Sequence, residues 1–175
     1  KTLYKEDFEE ADLKMFAGGS VENGRMLVKG PGTYCWQQKV SDRVHYDVEA
    51  DMTLINDNAS ICFSATGSDT YLMWAINTFG LSKPVVRRHA YLSGALTYDD
   101  TTLPMTNKDV LGKPHHIKIS CETPYVRTYI DGTLVDTYTD TKGILSLGDV
   151  GFRVSSTGNE REKAYFDNLK VTVYD

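Results

Sequence analysis

The feature that most constrains the fold of this chain is a strict alternation of apolar and polar residues from Val44 to Leu54. The apolar positions are Val44, Tyr46, Val48, Ala50, Met52 and Leu54, and the polar positions are His45, Asp47, Glu49, Asp51 and Thr53. Successive side chains of a β-strand point to opposite faces, so this period of two predicts a strand with one buried face and one polar face. Such a strand is typical of an antiparallel sheet, because antiparallel sheets often expose one face to water.

Short segments with strand character recur along the rest of the chain. They are Leu3–Phe8, Arg25–Lys29, Ser60–Ala65, Tyr71–Asn77, Val85–Leu92, His116–Cys121, Tyr125–Ile130, Leu134–Tyr138, Val150–Ser155 and Ala164–Tyr174. Asn23-Gly24 and Asp131-Gly132 are typical turns of tight hairpins. After Leu92 the polar residues around Tyr98–Asp109 predict a long connecting loop. Helix should be minor, and turns about every 8–12 residues predict a sandwich of two antiparallel sheets.

Composition limits the number of domains and the classes of partner. The chain has 175 residues, 41% of them apolar, which suits a single domain with one full core over residues 1–175. The net charge is −5 and the lysines and arginines are scattered, so we expect no nucleic-acid partner. No apolar run approaches the roughly 20 residues that a transmembrane helix needs, so we expect no membrane span.

The cysteines indicate no covalent or metal framework. Cys35, Cys62 and Cys121 are odd in number and lack CxxC spacing, which argues against a zinc site and a disulfide network. Cys62 and Cys121 fall at apolar strand positions or strand ends. We therefore expect them to be buried free thiols.

The segment from Tyr71 to Leu92 carries the best candidate for a binding surface. It predicts two strands joined by a turn that contains Gly80 and Pro84. Alternation gives the core face Leu72, Trp74, Ile76, Val86, Ala90 and Leu92, and gives the opposite face Tyr71, Asn77, Arg87, His89 and Tyr91. If the two strands pair, these polar groups meet on one sheet surface, which suits a polar, ring-shaped ligand.

Six segments, in their order along the chain, carry a resemblance to a known group of proteins. They are YLMWAIN, VVRRH, HHIKI, VRTYIDGTLVDTY, GDVGFRV and EKAYFDNLKVTV, within residues 40–175. The sequence resembles the concanavalin A-like jelly-roll modules of bacterial glycoside hydrolases, in particular fructan-binding family 66 modules, the exo-inulinase accessory domain and α-L-rhamnosidase sandwich domains. Trp74, Arg87 and His89 match positions frequent in such modules, whereas Ala75 stands where a glutamine is expected.

The resemblance implies a fold, a function and a location. The fold is an all-β, two-sheet antiparallel β-sandwich of the concanavalin A-like jelly-roll type. The function is non-catalytic carbohydrate binding, which holds the catalytic domain of a parent glycoside hydrolase on a polysaccharide or presents the chain end of an oligosaccharide. The location is secreted, cell-surface or periplasmic, in a bacterium.

Residue chemistry points to the same kind of ligand. A sugar offers vicinal hydroxyls to a guanidinium fork and C–H faces to an aromatic ring. Arg87 is the first candidate for the fork, with His89, Asn77 and Tyr71 as further contacts, and a solvated strand residue is the alternative for Arg87 and His89. Trp74 either packs in the core with its strand neighbours or forms a platform for the ligand.

The C-terminal part adds candidate ligand-binding and metal-binding residues. Arg153 and Glu162 are candidates for carbohydrate binding, with Glu162 as an acceptor for a sugar hydroxyl. Simple alternation turns Asp167 inward, and a buried carboxylate needs a partner. A structural calcium ion, an arginine, or a bulge that turns the side chain outward would each satisfy Asp167. Asp7, in the acidic segment Asp7–Glu10, is the second candidate calcium ligand.

Two other functions remain open from the sequence. The first is a jelly-roll glycoside hydrolase, because Asp47, Glu49 and Asp51 share one strand face at steps of roughly 6.5–7 Å and glycoside hydrolysis uses paired carboxylates. For these acids, a solvated strand face is the alternative. The second is a laminin-G-like protein-interaction domain, for which exposed tyrosines would serve. Nucleotide cofactors are not expected, because glycine-rich phosphate-binding motifs are absent.

Overall fold

The computed structural model describes residues 1–9, 19–29, 33–36, 44–154 and 161–174, with the backbone alone for 33–36. The strands are β1 (Thr2–Glu6), β2 (Ser20–Glu22), β3 (Arg25–Lys29), β4 (Thr33–Trp36), β5 (His45–Leu54), β6 (Asn58–Gly67), β7 (Thr70–Asn77), β8 (Val85–Leu92), β9 (Ala95–Thr102), β10 (Pro114–Glu122), β11 (Tyr125–Ile130), β12 (Thr133–Thr139), β13 (Asp149–Val154) and β14 (Lys163–Val173). One helical turn, α1 (Asn107–Val110), is closed by a capping box between Thr106 and Asp109.

The strands form two antiparallel sheets, which confirms the predicted sandwich. The larger sheet has the order β12-β11-β10-β5-β14-β3-β2, with β1 also paired to β14. The smaller sheet has the order β4-β13-β6-β7-β8-β9. None of the described residues belongs to a helix long and apolar enough to cross a membrane.

The alternating strand β5 lies inside the larger sheet, between β10 and β14. Its predicted apolar face points into the space between the sheets, where Tyr46, Val48, Ala50, Met52 and Leu54 are at most 2% exposed. They belong to a single cluster of buried residues to which both sheets contribute. Burying one large apolar side chain contributes roughly 1.5–3 kcal/mol to the free energy of unfolding, so the burial of this cluster is the main contribution that holds the two sheets together.

The hairpin turns follow from residues that tolerate positive φ. Asn23-Gly24 joins β2 to β3 and Asp131-Gly132 joins β11 to β12, as predicted, and all four residues have φ between 50° and 83°. Ser93-Gly94 is a third turn of this kind, with φ of 50° and 83°. The prediction of a long loop around Tyr98–Asp109 is therefore wrong for residues 98–102, because this turn returns the chain as the edge strand β9. Two central residues with positive φ match the right-handed twist of the flanking strands.

A bulge in β14 settles the orientation of Asp167. The register between β14 and β5 shifts between Asp167 and Lys170, and Asn168 has a φ of 50°. Asp167 is therefore only half-buried, while Leu169 returns to the core at 1% exposure. Of the three solutions considered for Asp167, the structure uses the bulge.

An ion-pair network ties one edge of the smaller sheet to the larger one. Arg88, on the core side of β8, bonds Asp99 of β9 and reaches across to Asp136 of β12, at N···O distances of 2.9 and 3.0 Å. Thr101 also donates to Asp136, at 3.0 Å. The Asp136 side chain is 3% exposed and that of Arg88 is 12% exposed, so each charge is stabilised in the protein interior by its hydrogen-bonded partners.

The predicted thiols are buried. Cys62 and Cys121 are 3% and 0% exposed and carry no disulfide. Burial raises the pKa of the Cys121 thiol well above its usual value, so it stays protonated and unreactive. The side chain of Cys35 lies outside the described part of the chain.

Candidate binding cleft

The strand register places one residue from each of five strands in a single row across the smaller sheet. Arg153 of β13 pairs with Ser60 of β6, Ser60 with Ala75 of β7, and Ala75 with Arg87 of β8. Arg87 in turn pairs with Asp100 of β9. Paired residues of neighbouring strands point to the same face, so all five side chains emerge on the outer face of this sheet.

A second row lies one step along the strands and gives the surface its shape. Met73 of β7 pairs with His89 of β8, and His89 pairs with Tyr98 of β9. Except for Asp100, the residues of both rows line an open cleft of about 290 Å³ together with their neighbours: Asn58, Ser60, Met73, Ala75, Asn77, Arg87, His89, Tyr91, Leu96, Tyr98, Arg153 and Val154. The small side chains of Ser60 and Ala75 form the floor of the cleft, and larger polar and aromatic side chains form its walls.

Arg87 is positioned by an acidic residue on the edge strand. Its Nε and Nη2 atoms donate to the two carboxylate oxygens of Asp100, at 2.9 and 3.1 Å. The same guanidinium lies 5.0 Å from the centre of the Tyr98 ring. The hydrogen bond with Asp100 raises the pKa of Arg87, so the group is a fixed cation held in place by two parallel bonds.

His89 is a neutral imidazole of defined tautomer. Its Nδ1 lies 3.2 Å from the carbonyl oxygen of Met73, which can only accept, so Nδ1 carries the proton. Burial lowers the pKa of His89, and Arg87 and Arg153 lower it further. Nε2 is therefore left as an acceptor, which can bind the hydroxyl of a ligand.

Arg153 occupies the opposite side of the cleft. It is half-buried, and its Nη1 lies 3.9 Å from the thioether sulfur of Met73. A thioether is a weak acceptor. Within the described part of the chain, the structure gives Arg153 no ion pair with a carboxylate.

The remaining predicted contacts on this face differ in how they reach the cleft. Asn77 lines it, and the Asn77 side-chain oxygen accepts the backbone N–H of Phe79 at 3.2 Å, which leaves its NH₂ group as a donor. Tyr71 stacks on Tyr91 with ring centroids 4.4 Å apart, so Tyr71 supports a lining residue. Burial raises the pKa of Tyr71 to about 12, and its hydroxyl stays protonated at neutral pH.

Two predicted ligand residues lie away from the cleft. Trp74 is 3% exposed and packs edge-on against Phe63 and Tyr138 between the sheets, so it is a core residue and not a platform for a ligand. Glu162 is 5% exposed and lies beside Asp57, before β6, where a hydrogen bond links the two carboxyl groups. Trp74 points inward because alternation along β7 sends every second side chain to the core.

The residues that β9 brings to the cleft are not among those predicted from the sequence. Tyr98 and Asp100 pair with His89 and Arg87, but β9 is almost entirely exposed and has no apolar alternation. The signal that could have found the strand is Ser93-Gly94, a turn dipeptide between Leu92 and Ala95. A hairpin at that turn places Asp100 directly beside Arg87.

The acidic face of β5 lies on the outside of the larger sheet and is held by neighbouring side chains. The two ring nitrogens of His116 lie 2.9 Å from Asp51 and 3.0 Å from Glu49, and Asn168 donates to the other oxygen of Asp51 at 2.8 Å. Asp47 is 5% exposed and accepts from the hydroxyl of Tyr174 at 2.7 Å. The acidic face is therefore a bonded cluster and not the solvated surface considered as the alternative.

His116 is charged by this arrangement. A carboxylate can only accept, so two carboxylates at the two ring nitrogens require both nitrogens to carry protons. Burial by itself lowers the pKa of His116, but the hydrogen bonds with Asp51 and Glu49 outweigh it and raise the pKa above its usual value. A second cleft of about 520 Å³ opens beside this cluster and includes Glu49, His116, Asp7, Asn168 and Lys170.

The candidate calcium residues lie near this second cleft. Burial raises the pKa of Asp167, and the nearby carboxylates of Asp51 and Asp7 raise it further. Among the described residues, no group of three or more His, Cys, Asp and Glu side chains is placed to hold a metal ion. Glu10 lies outside the described residues, so calcium binding at this end stays a prediction.

Comparisons with known proteins identify the fold. No protein-family model matches the sequence, and no curated protein sequence matches it. The structure is similar to the carbohydrate-binding module CBM66 from Bacillus subtilis, with a TM-score of 0.65, 16% identity, and coverage of 84% of this chain and 86% of that chain. It is also similar to a galectin-like protein of unknown function from Bacillus subtilis, with a TM-score of 0.69, 15% identity, and coverage of 98% and 96%.

A catalytic protein has the same fold. The endo-β-1,3-glucanase from Pyrococcus furiosus has a TM-score of 0.68 and 12% identity, with coverage of 100% of this chain and 95% of that chain. The chain therefore has the jelly-roll sandwich fold shared by a carbohydrate-binding module, a galectin-like protein and a glucanase, as the sequence resemblance implied. At these identities the likeness shows the fold, and the function has to be argued from the site.

Proposed function

We propose that this chain is a non-catalytic carbohydrate-binding module that holds a saccharide in the cleft of the smaller sheet. The observation that carries the proposal is the row from Arg153 through Ser60 and Ala75 to Arg87, with His89 and Tyr98 beside it. Together these residues provide arginine donors, an acceptor nitrogen on His89 and a floor of small side chains in a cleft that is open to solvent. Sugar binding needs these elements, because a sugar ring is edged with hydroxyls and has C–H faces.

The ring of Tyr98 supplies the apolar part of this surface. Tyr98 is 59% exposed, and its ring lies 5.9 Å from that of His89. An exposed tyrosine beside fixed polar groups can pack on the C–H face of a sugar while its hydroxyl stays in water. In this proposal Arg87 and His89 bind the hydroxyls and Tyr98 packs on the ring.

The module would serve a parent enzyme. We propose that it holds an attached glycoside hydrolase on a polysaccharide, or presents a chain end to it, at a secreted, cell-surface or periplasmic location. The likeness to CBM66 supports this role by fold analogy, and the polar cleft supports it by chemistry.

The test is calorimetric titration of the chain with fructan, rhamnogalacturonan, arabinan and β-glucan oligosaccharides, with product analysis of the same mixtures. We expect saturable binding without new reducing ends, and a loss of affinity of about tenfold or more in Arg87→Ala. Arg127→Ala, on β11 of the other sheet, is the matched control and should bind normally. Unchanged binding by Arg87→Ala would overturn the assignment of the cleft.

A glycoside hydrolase is the second candidate, favoured by Glu49 in the larger cleft and by the shared fold with a glucanase. Against it, Glu49 and Asp51 are both bonded to His116, whereas hydrolysis needs one carboxyl group as an acid and another free to attack or activate water. New reducing ends that disappear in Glu49→Gln would establish this function in place of the binding module.

A further inference from the structure

We propose that the saccharide bound in the cleft is anionic, with the carboxylate of a hexuronate or a sulfate ester placed against Arg153. This inference rests on the proposed binding function and names its ligand class. The shared chemistry of the two groups is a cluster of negatively charged oxygens that accept hydrogen bonds and carry no proton at neutral pH.

The two arginines of the cleft differ in their partners. Arg87 is neutralised by a bidentate pair with Asp100. Within the described residues, the hydrogen bond of Arg153 is a weak contact with the sulfur of Met73. A guanidinium offers five N–H donors in a planar fork, so the described residues use only a small part of the capacity of Arg153.

The rest of the lining also favours a ligand that accepts more than it donates. The Asn77 oxygen is already bonded to the N–H of Phe79, so Asn77 presents its NH₂ group. His89 offers an acceptor at Nε2, and the hydroxyl groups of the lining can each donate as well as accept. The described lining contains no Asp or Glu, and the neighbouring carboxylate of Asp100 is already bonded to Arg87. A carboxylate or sulfate brings negative charge and acceptors alone, so an anionic sugar matches the positive charge of Arg153 better than a neutral sugar does.

The spacing of the two arginines gives them separate roles. Arg153 on β13 and Arg87 on β8 are three strand spacings apart, or roughly 14 Å at the usual 4.7–4.9 Å per step. The anion would lie at the Arg153 side, and the sugar ring would extend over Ser60 and Ala75 towards His89 and Tyr98. Arg87 then binds hydroxyls, and Arg153 selects the charge.

The test compares matched pairs of ligands by calorimetry at low salt. One pair is oligogalacturonides and the same oligomers with methyl-esterified carboxyl groups. The other pair is a sulfated galactan oligosaccharide and its desulfated form. We expect the anionic member of at least one pair to bind about tenfold more tightly than its neutral form, and the pair that shows this identifies the anion.

Variants assign this preference to one side chain. In Arg153→Gln, the ratio of the affinity for the anionic ligand to that for the neutral ligand should fall to about one. Arg153→Lys keeps the positive charge and should retain part of the preference. Arg127→Gln, a charge removed from the other sheet, should leave it unchanged. Equal affinity for both members of each pair, or a preference that survives in Arg153→Gln, overturns this inference alone. No binding of any saccharide, charged or neutral, overturns the proposed function as well.

Discussion

The two outer faces of the sandwich each hold a histidine among charged side chains, and the sign of those charges gives the faces different properties. On the smaller sheet, His89 lies near Arg87 and Arg153 and stays neutral, with one nitrogen left to accept. On the larger sheet, His116 lies between Glu49 and Asp51 and is charged, with both nitrogens bonded. The first face therefore keeps hydrogen-bonding capacity for a ligand, whereas the second uses that capacity within the fold.

The difference shows how one fold can present two surfaces with opposite charge environments. Both faces are built from outward-pointing residues of paired strands, and both open into clefts. On the larger sheet, the described hydrogen-bond partners of Asp51 and Glu49 are His116 of β10 and Asn168 of β14, so three strands share these bonds. On the smaller sheet, the floor of small residues leaves room that the described side chains do not fill.

The largest expected effect is a loss of stability on removing the ion pair between Arg88 and Asp136, which links the two sheets. Arg88→Ala leaves Asp136, which is 3% exposed on its side chain, without its cation. We expect a loss of about 3–5 kcal/mol in the free energy of unfolding. Chemical denaturation should show this loss, and Arg87→Ala, whose pair with Asp100 is about one-third exposed, should lose less than about 1 kcal/mol. Similar losses in the two variants would contradict the different roles of these adjacent arginines.

A larger side chain on the cleft floor should weaken saccharide binding by the smaller sheet, so that the two faces no longer differ in binding. Ala75→Leu places a larger side chain between Ser60 and Arg87, and we expect saccharide affinity to fall by about tenfold or more while the fold is retained. Calorimetry measures the affinity and circular dichroism the fold. Ser120→Leu, on the outer face of the larger sheet, is the matched control and should bind normally. A reduced affinity in the control would argue against the cleft as the binding site.

The acidic cluster should matter for stability and not for binding. His116→Ala removes the imidazolium that bonds both Glu49 and Asp51, and we expect a loss of about 1–2 kcal/mol in the free energy of unfolding, limited by partial exposure. Chemical denaturation measures the loss, and calorimetry should find saccharide affinity unchanged. A His116→Ala protein that lost affinity would show that the two faces are coupled.

The smallest effects are opposite pH dependences at the two histidines. The pKa of folded His116 is raised, so its contribution to stability is complete below about pH 6.5, the unfolded value, and is lost as the pH rises through the folded pKa. The pKa of folded His89 is lowered by burial and by the two arginines, so its contribution is complete above about pH 6.5 and is lost as the pH falls.

Denaturation at several pH values separates these two contributions. Between about pH 6.5 and about pH 8, His116→Gln should remove part of the loss of stability seen in the natural protein. Between about pH 5 and about pH 6.5, His89→Gln should remove part of the loss on acidification. If both variants shifted the pH profile in the same direction, one of the two assigned protonation states would be wrong.

Sequence alone determined most of the strands and their faces, because both follow from local patterns, but it did not predict β4 or β9. The period of two along β5, β7 and β8 assigned core and outer residues, and hairpin dipeptides placed two of the turns. Arg87, His89, Asn77 and Arg153 were all identified from such patterns, and all four line the cleft. The predicted direction of these side chains is confirmed because side-chain direction in a strand depends on the backbone of the strand itself, whereas their role in carbohydrate binding stays a prediction.

Tertiary structure alone decided which residues meet. Arg153 lies beside Ser60 because β13 pairs with β6, although 92 positions separate them, and periodicity carries no information about such pairing. The exposed strand β9, which brings Tyr98 and Asp100, has no apolar pattern to reveal it. Burial and neighbouring charges together decided the charge of each histidine, since the imidazole has a pKa near neutrality and responds both to desolvation and to the ions that the fold places beside it.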